Sequence, residues 1–306
     1  MGYLTSKQIR QIFIDFFKNR HHFILESKPL LPIDDDSLLL INSGIATLKK
    51  YFTHQKIPPS TDLANSQKCV RTNDIENVGL TNRHLTFFEM LGNFSIGGYF
   101  KKKAIDLAYE FIFELLKLPK KLIYITYHKD DKLTYDLWKE KDIDPSHLIA
   151  GDNSTNFWDL GHGPCGPNTE IFYDLGEKYD PNQIGLKLLK DNIENDRYLE
   201  IWNIVFSEFN NDGANNYQEL PKKNIDTGIG FERLVSVLQK KDSIFETDLF
   251  YPMIQFLEQI TNLKYQDKKR EFRVIVDHFR SITLLISDGL LPSNQKAGYI
   301  LRKLIR

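Results

Sequence analysis

Apolar residues recur at helical spacing from the start of the chain. Ile9, Ile12, Phe13, Phe16 and Phe17 form one stripe, and Thr5 or Ser6 is suited to cap the helix that carries it. Cys69, Val70 and Arg71 then end an apolar run, Thr72 to Gly79 is turn-rich, and His84 to Leu91 returns in β-branched and aromatic residues. That sequence predicts two antiparallel strands joined by a polar loop. Lys101 to Leu118 reads as a helix with Ile105, Ala108, Ile112, Leu115 and Leu116 facing inward, ended by Pro119. Leu122–Tyr127 and Tyr198–Phe206 read as strands, and Asn224–Leu234 opens a helix that includes Val237 and Leu238. Arg273–Leu290 predicts another helix, and Ile300–Arg306 a short basic one.

Several polar residues stand out against this pattern. Arg71 enters a loop, where a planar guanidinium can donate two hydrogen bonds to phosphate oxygens; a solvated surface arginine is the plainer alternative. Phe87 and Phe88 point to opposite faces of a strand, so one can enter the core while the other offers its ring to a base. Asn203 sits in an otherwise buried strand and must find hydrogen bonds, either from the fold or from a ligand. Gly and Pro crowd positions 163 to 167, which predicts a tight loop with Trp158 and Glu170 at its two ends. For Trp158 a place in the core is the alternative. Gly228 and Gly230 remove side chains where something approaches the backbone closely, although Gly-x-Gly alone usually marks a turn. Asp34-Asp35-Asp36 is a solvated turn without a second carboxylate cluster, and His162 with Cys165 lacks further ligands at zinc spacing.

Composition narrows the class. At 306 residues, 41% apolar and 12% aromatic, the chain is an ordinary globular protein with room for more than one domain. The net charge of −1 hides an asymmetry: residues 264–306 carry ten Lys or Arg against four Asp or Glu, a balance of +6, which leaves −7 on residues 1–263. The basic end is a candidate RNA-facing surface, with a solvated helix face as the commoner meaning. Two cysteines, Cys69 and Cys165, support neither a disulfide framework nor a zinc site, and a reducing, cytoplasmic setting is expected. No run approaches membrane-spanning length and the start lacks a signal-peptide core, so no membrane partner is expected.

The run His84-Leu85-Thr86-Phe87-Phe88-Glu89-Met90-Leu91-Gly92-Asn93-Phe94-Ser95, preceded by Gln67-Lys68-Cys69-Val70-Arg71, resembles motif 2 of the alanyl-tRNA synthetases, a family of class II aminoacyl-tRNA synthetases. Ser37 to Gly44 resembles the family's motif 1 region. Asn156 to Ile171 resembles a part of its nucleotide site, and Asp226-Thr227-Gly228-Ile229-Gly230-Phe231-Glu232-Arg233 resembles class II motif 3. The resemblance covers residues 5 to 306. It implies an α+β fold, a class II antiparallel sheet flanked by helices, with a catalytic domain over residues 1–263 and the start of a helical acceptor-stem recognition region over 264–306.

The resemblance also implies the chemistry: alanine and ATP give alanyl-adenylate and pyrophosphate, and the alanyl group passes to the 3′ end of tRNA(Ala). Arg71 and Arg233 would be catalytic, acting on the phosphates. ATP would be held by Arg71, His84, Phe88, Trp158, Ile201, Trp202, Asn203, Gly230 and Arg233, and alanine by Asn203 and Asp226. Asn294 and Arg302 would contact tRNA. Mg²⁺ would be bound chiefly by ATP oxygens, with Glu170 as a protein ligand. Leu85 stands where most relatives carry a second histidine that touches ATP. No His/Cys cluster matches the zinc-bearing editing domain of relatives, so a monomeric fragment that activates alanine but does not proofread is expected, its chain stopping inside a helical pattern. Two other classes stay open. A non-catalytic tRNA-binding paralogue would be expected to lose Arg71, Asp226 or Arg233, and a class II-like ligase for another acceptor would differ in the basic end. Class I synthetases are disfavoured, since His-x-Gly-His is missing.

Overall fold

The computed structural model describes residues 2–306 apart from 34–37, 54, 160 and 215, so the Asp34–Asp36 turn and Leu160 lie outside the described residues. Helix α1 (Ser6–Lys18) starts with a capping box: the Thr5 hydroxyl accepts from the Gln8 backbone N–H and the Gln8 side chain accepts from that of Thr5. After a two-residue strand β1 (Phe23–Ile24) and a one-turn helix α2 (Lys49–Phe52), the predicted hairpin forms from β2 (Asp62–Val70) and β3 (Phe87–Ile96). Its register sets Val70 opposite Phe87 and Cys69 opposite Phe88.

Helix α3 (Lys101–Tyr109) is shorter than the periodicity predicts. Residues Glu110–Leu115 widen into a π-helical turn, in which the Leu116 N–H donates to the Phe111 carbonyl, and Lys117 ends the segment at φ 55°. The wider turn seats Phe111 and Ile112 fully in the core and leaves Leu115 half-buried. Then come β4 (Ile123–His128), α4 (Lys132–Lys139), β5 (Leu148–Gly151), β6 (Phe157–Trp158), β7 (Gly163–Asp174) and the one-turn α5 (Lys187–Lys190). The Gly/Pro run is therefore strand, not a tight loop: Gly166 and Pro167 in β7 pair with Trp158 and Phe157. A Cβ on Gly166 would lie 2.0 Å from the Phe206 carbonyl oxygen, so the glycine is there to let the neighbouring backbone close in. Strands β8 (Tyr198–Asn211) and β9 (Tyr217–Gly230) are followed by α6 (Phe231–Leu238), α7 (Tyr251–Thr261), α8 (Lys269–Ser287) and α9 (Lys296–Ile305). The last two begin four residues before the predicted starts, because residues 269–271 and 296–298 hold no large apolar side chain to mark the first turn.

Among the described residues the strands lie in the order β1-β2-β3-β9-β8-β7-β4-β5, with β6 paired to β7. The pairs β1–β2 and β4–β5 are parallel and the remainder antiparallel. One face of this sheet presents Leu91, Trp202, Ile204, Ile225 and Ile229 to α1, α3 and α6, and together they make the largest core cluster. Helices α8 and α9 pack instead on the hairpin, sharing buried side chains with Val70 and Phe87. No helix among the described residues is long and apolar enough to cross a membrane. Cys69 and Cys165 are both free and buried.

Phe111 touches Phe13 at 5.5 Å, Phe16 at 5.1 Å and Trp202 at 5.7 Å between ring centroids, and so joins α1 to the sheet. Phe111→Ala should cost about 3–5 kcal/mol, read as a lowered midpoint in urea unfolding with the slope unchanged.

Candidate functional site

The strand pleat sorts side chains between the core and a cavity of about 300 Å³ on the opposite face. Phe88 and Met90 of β3, Asp226, Gly228 and Gly230 of β9, and Asn203 and Val205 of β8 all line it. Asn203 is the register partner of Gly228, Val205 of Asp226, and Met90 of Gly230, so these residues form one continuous floor. The missing side chains have identifiable causes. A Cβ on Gly228 would lie 2.7 Å from Met90 Sδ, and one on Gly230 would lie 3.2 Å from Arg233 Cδ.

Three guanidinium groups stand around this floor. Arg71 caps the hairpin's first strand with its Cζ 5.0 Å from the Phe88 ring centroid, while its Nε donates to the Asn42 carbonyl at 3.3 Å. Its backbone N–H donates to Thr86 at 3.0 Å, which holds the two ends of the hairpin loop together. Arg233 leaves the first turn of α6 and donates through Nη1 to the carbonyl and the Oε2 of Glu200, both at 3.1 Å. Arg83 comes from the hairpin loop and pairs with Asp196 and Glu194, each at 3.2 Å. Burial and the adjacent Arg233 pull Arg83 below its ordinary pKa. Burial, with Arg83 second, does the same to His84, whose Nδ1 lies 2.8 Å from the Thr81 hydroxyl.

Asp226 provides the opposite charge. It is 8% exposed, lines the cavity, and is pushed up to about 7 by burial, with no neighbouring charge contributing to the shift. A carboxyl kept in this state is one that a cationic group entering the cavity would ionise. Glu170 lies deeper. It accepts from the amides of Asn203 at 2.8 Å and Asn168 at 3.0 Å, and burial together with the Glu200 carboxylate holds it well above the usual carboxylate range. Asn203 has its Oδ1 occupied as well, by Asn168 at 2.9 Å, so the fold supplies partners to both ends of that amide. Among the described residues no three His, Cys, Asp or Glu gather at metal-binding distance.

The cavity thus brings together Arg71, His84, Phe88, Trp158, Asn203, Asp226, Gly230 and Arg233 of the residues singled out in the sequence. Ile201 and Trp202 are not among them. Each is 1% exposed on the core side, and Trp202 packs on Phe111. The cause is a bulge: Ile171 pairs with Trp202 and Phe172 with Glu200, so Ile201 is an extra residue and the alternation resets around it. Glu200 and Asn203 therefore both face the cavity, with two core residues between them. Asn294 and Arg302 also lie outside the cavity: Arg302, in the last turn of α9, donates to the Asn294 side chain, which precedes the helix.

Sequence reasoning missed four participants. Arg83 and Glu200 line the cavity. Glu89 and Glu232 are joined through the Glu89 N–H, which donates to the Glu232 carboxylate at 3.1 and 3.2 Å, and Arg10 grips Glu89 with two 2.6 Å hydrogen bonds. Glutamates inside otherwise buried stretches were the available signal, since a buried carboxylate demands partners.

The family model described as tRNA synthetases class II (A) matches residues 8–306. The chain is 58% identical, over 99% of its length, to an alanine–tRNA ligase of Mycoplasmopsis pulmonis (strain UAB CTIP). It is 57% identical, over 100% of its length, to the alanine–tRNA ligase of Mesomycoplasma hyopneumoniae (strain J). It spans 36% of the length of each of these relatives.

Asp226 has a measurable effect on stability. Its ordinary value is 3.8 and its folded value about 7, so between those values the folded chain holds a proton that the unfolded chain has released. Its contribution to stability therefore falls as pH rises from about 4 to about 7, and stays low above. Asp226→Asn should stabilise the free protein by about 1–3 kcal/mol at pH 8 and by less at pH 5, as read by urea unfolding. Trp202→Phe should lower stability and leave nucleotide affinity unchanged, which equilibrium titration checks.

Proposed function

The chain belongs to the class II tRNA synthetase (A) family, and from that footing we propose that it carries the amino-acid-activating centre of an alanine–tRNA ligase. The observation that carries the reading is the unpaired, buried Asp226 carboxyl on the same cavity floor as the Arg71–Phe88 pair and Arg233. One substrate combines an ammonium with a carboxylate, and the other is a polyphosphate. The cavity offers a charge of the right sign for each.

In this reading the alanine ammonium ionises Asp226 and pairs with it, beside Val205, whose methyl groups suit a one-carbon side chain. The amide of Asn203 is held in place by Asn168 and Glu170 and flanks the amino acid. The alanine carboxylate oxygen attacks the α-phosphorus of ATP and pyrophosphate leaves. Arg71 donates to the α-phosphate oxygens as charge builds on them. Arg233 braces the nucleotide from the other side, and Phe88, His84, Trp158 and the backbone at Gly230 wall it. This chemistry needs positioning and charge neutralisation more than a strong base.

Mg²⁺ accompanying ATP would neutralise phosphate charge. Glu170, raised by burial and then by the neighbouring Glu200, and Glu200 itself are donors of the right hardness for it, and with no third acidic partner gathered there among the described residues the nucleotide would supply the remaining ligands. The transfer step to tRNA(Ala) belongs to the same reading. Residues 264–306, with their +6 balance, are its RNA-facing helical region, and Asn294, just before α9, and Arg302, in its last turn, are the proposed contacts.

Alanine-dependent exchange between ATP and pyrophosphate tests the reading, with glycine and serine as comparisons. Exchange should be fastest with alanine, by a factor that one methyl or hydroxyl group sets at roughly 1–3 kcal/mol. Arg71→Ala and Asp226→Asn should each lower it about 100-fold or more. Because the alanine site needs ionised Asp226, kcat/KM for alanine should fall as pH drops through about 7. Folded wild-type protein that binds ATP yet gives no alanine-dependent exchange would contradict the proposal.

A further inference from the structure

Helix α8 lies outside the cavity, yet two of its side chains hold the strands that carry the cavity's arginines. Asp277 Oδ1 accepts the Thr86 backbone N–H at 2.9 Å, and the Thr86 carbonyl accepts the Arg71 N–H at 3.0 Å. Asp277, Thr86 and the backbone of Arg71 therefore form one hydrogen-bonded line from α8 to the phosphate-facing residue. One turn further along, Arg280 pairs through Nη1 with Glu232 Oε1 at 2.8 Å and through Nη2 with Glu89 Oε1 at 3.6 Å. Glu232 immediately precedes Arg233, and Glu89 immediately follows Phe88. The Arg280 guanidinium is itself fixed, with its Cζ 4.7 Å from the Phe87 ring and 5.0 Å from the Phe250 ring.

These contacts are buried, unlike the outer ion pairs of the same helical region. Asp277 is 1% exposed and Glu232 2%, while Lys303 and Glu76 make their bridge in solvent, where such a pair contributes little. Neither Asp277 nor Arg280 is among the residues that line the cavity, so neither has a place in contacting substrate. Burying a carboxylate and a guanidinium is costly unless geometry compensates, and the geometry here ends, on one line, at the backbone of Arg71 and, on the other, one residue from Phe88 and from Arg233.

We propose that Asp277 and Arg280 are positioning residues: α8 ties the hairpin that carries Arg71 and Phe88 to the strand–helix junction that carries Arg233, and thereby sets the spacing of the two guanidinium groups around the nucleotide's phosphates. The proposal rests on the activating-centre reading for the identity of the ligand. Its consequence is that the ties govern recognition of phosphate and leave recognition of the nucleoside, which Phe88 and Trp158 wall, largely alone.

The test compares ATP and adenosine binding by calorimetry in Asp277→Ala, Asp277→Asn, Arg280→Gln and Arg280→Lys, with alanine-dependent pyrophosphate exchange measured in parallel. Asp277→Ala and Arg280→Gln should lose about tenfold in ATP affinity and more in kcat, while adenosine affinity moves less than twofold. Asp277→Asn keeps an oxygen for the Thr86 N–H and should recover most of the loss. Arg280→Lys keeps the charge and the fold but cannot bridge Glu89 and Glu232 together, and should fall between. If the alanine and glutamine variants do not fold, the asparagine and lysine variants carry the comparison: the lysine variant must then lose ATP affinity selectively relative to the asparagine variant. Equal losses for ATP and adenosine, or no loss in folded variants, would overturn the proposal. A wild type that binds ATP but shows no exchange sinks the activating-centre reading instead, and leaves the ATP-against-adenosine comparison to decide the role of α8.

Discussion

The structure depends on an uncompensated carboxyl. Asp226 is buried on the floor of a sheet, on a strand whose next two cavity-facing positions are glycines, and among the described residues no neighbouring charge contributes to its shift. Leaving such a group without a partner costs free energy that a sealed core would not carry. The surrounding architecture keeps it there: Val205 opposes it across the sheet, and Thr227 next to it is locked to Asn93 from behind by a 2.7 Å hydrogen bond. The carboxyl is positioned by the backbone and withheld from partners, which suits a group whose partner is a ligand.

Around that point the charges are arranged in opposition. Arg71, Arg83 and Arg233 converge from the hairpin end and the helix start, and each is held by a partner: Asn42, Glu194 with Asp196, and Glu200. Glu232, which also lines the cavity, and Glu89 beside it are paired with Arg280 and Arg10. A polyanion entering beside Asp226 would meet preset donors, and preset donors are what reactions with developing phosphate charge require.

Much of this was legible in the chain. The hairpin, with Arg71 at one end and Phe87 and Phe88 facing opposite ways, follows from strand alternation alone, and Phe87 is buried while Phe88 borders the cavity. The first helix was equally plain from its five-residue apolar stripe, while its cap stood open between Thr5 and Ser6 and falls to Thr5. The resemblance implied nucleotide contacts for Ile201 and Trp202, but alternation turns Trp202 away from Asn203, and a bulge, which nothing in Glu200-Ile201-Trp202-Asn203 announces, turns Ile201 into the core as well. The Gly/Pro run at 163–167 misled in the same way, since Gly166 serves a close backbone approach and not a turn. The ties from α8 join residues 191 positions apart, Thr86 and Asp277 among them, and no local pattern encodes such a pairing.

The central claim is that Asp226 waits, buried and half-protonated near neutral pH, for the ammonium of an amino acid. A carbon-13 NMR titration of its carboxyl tests this most directly, in the free protein, with alanine, and with lactate, which replaces the ammonium by a hydroxyl. The account predicts titration near 7 in the free protein, a shift to well below that with alanine, and no comparable shift with lactate. A carboxyl that titrates in the ordinary aspartate range and ignores alanine would contradict it.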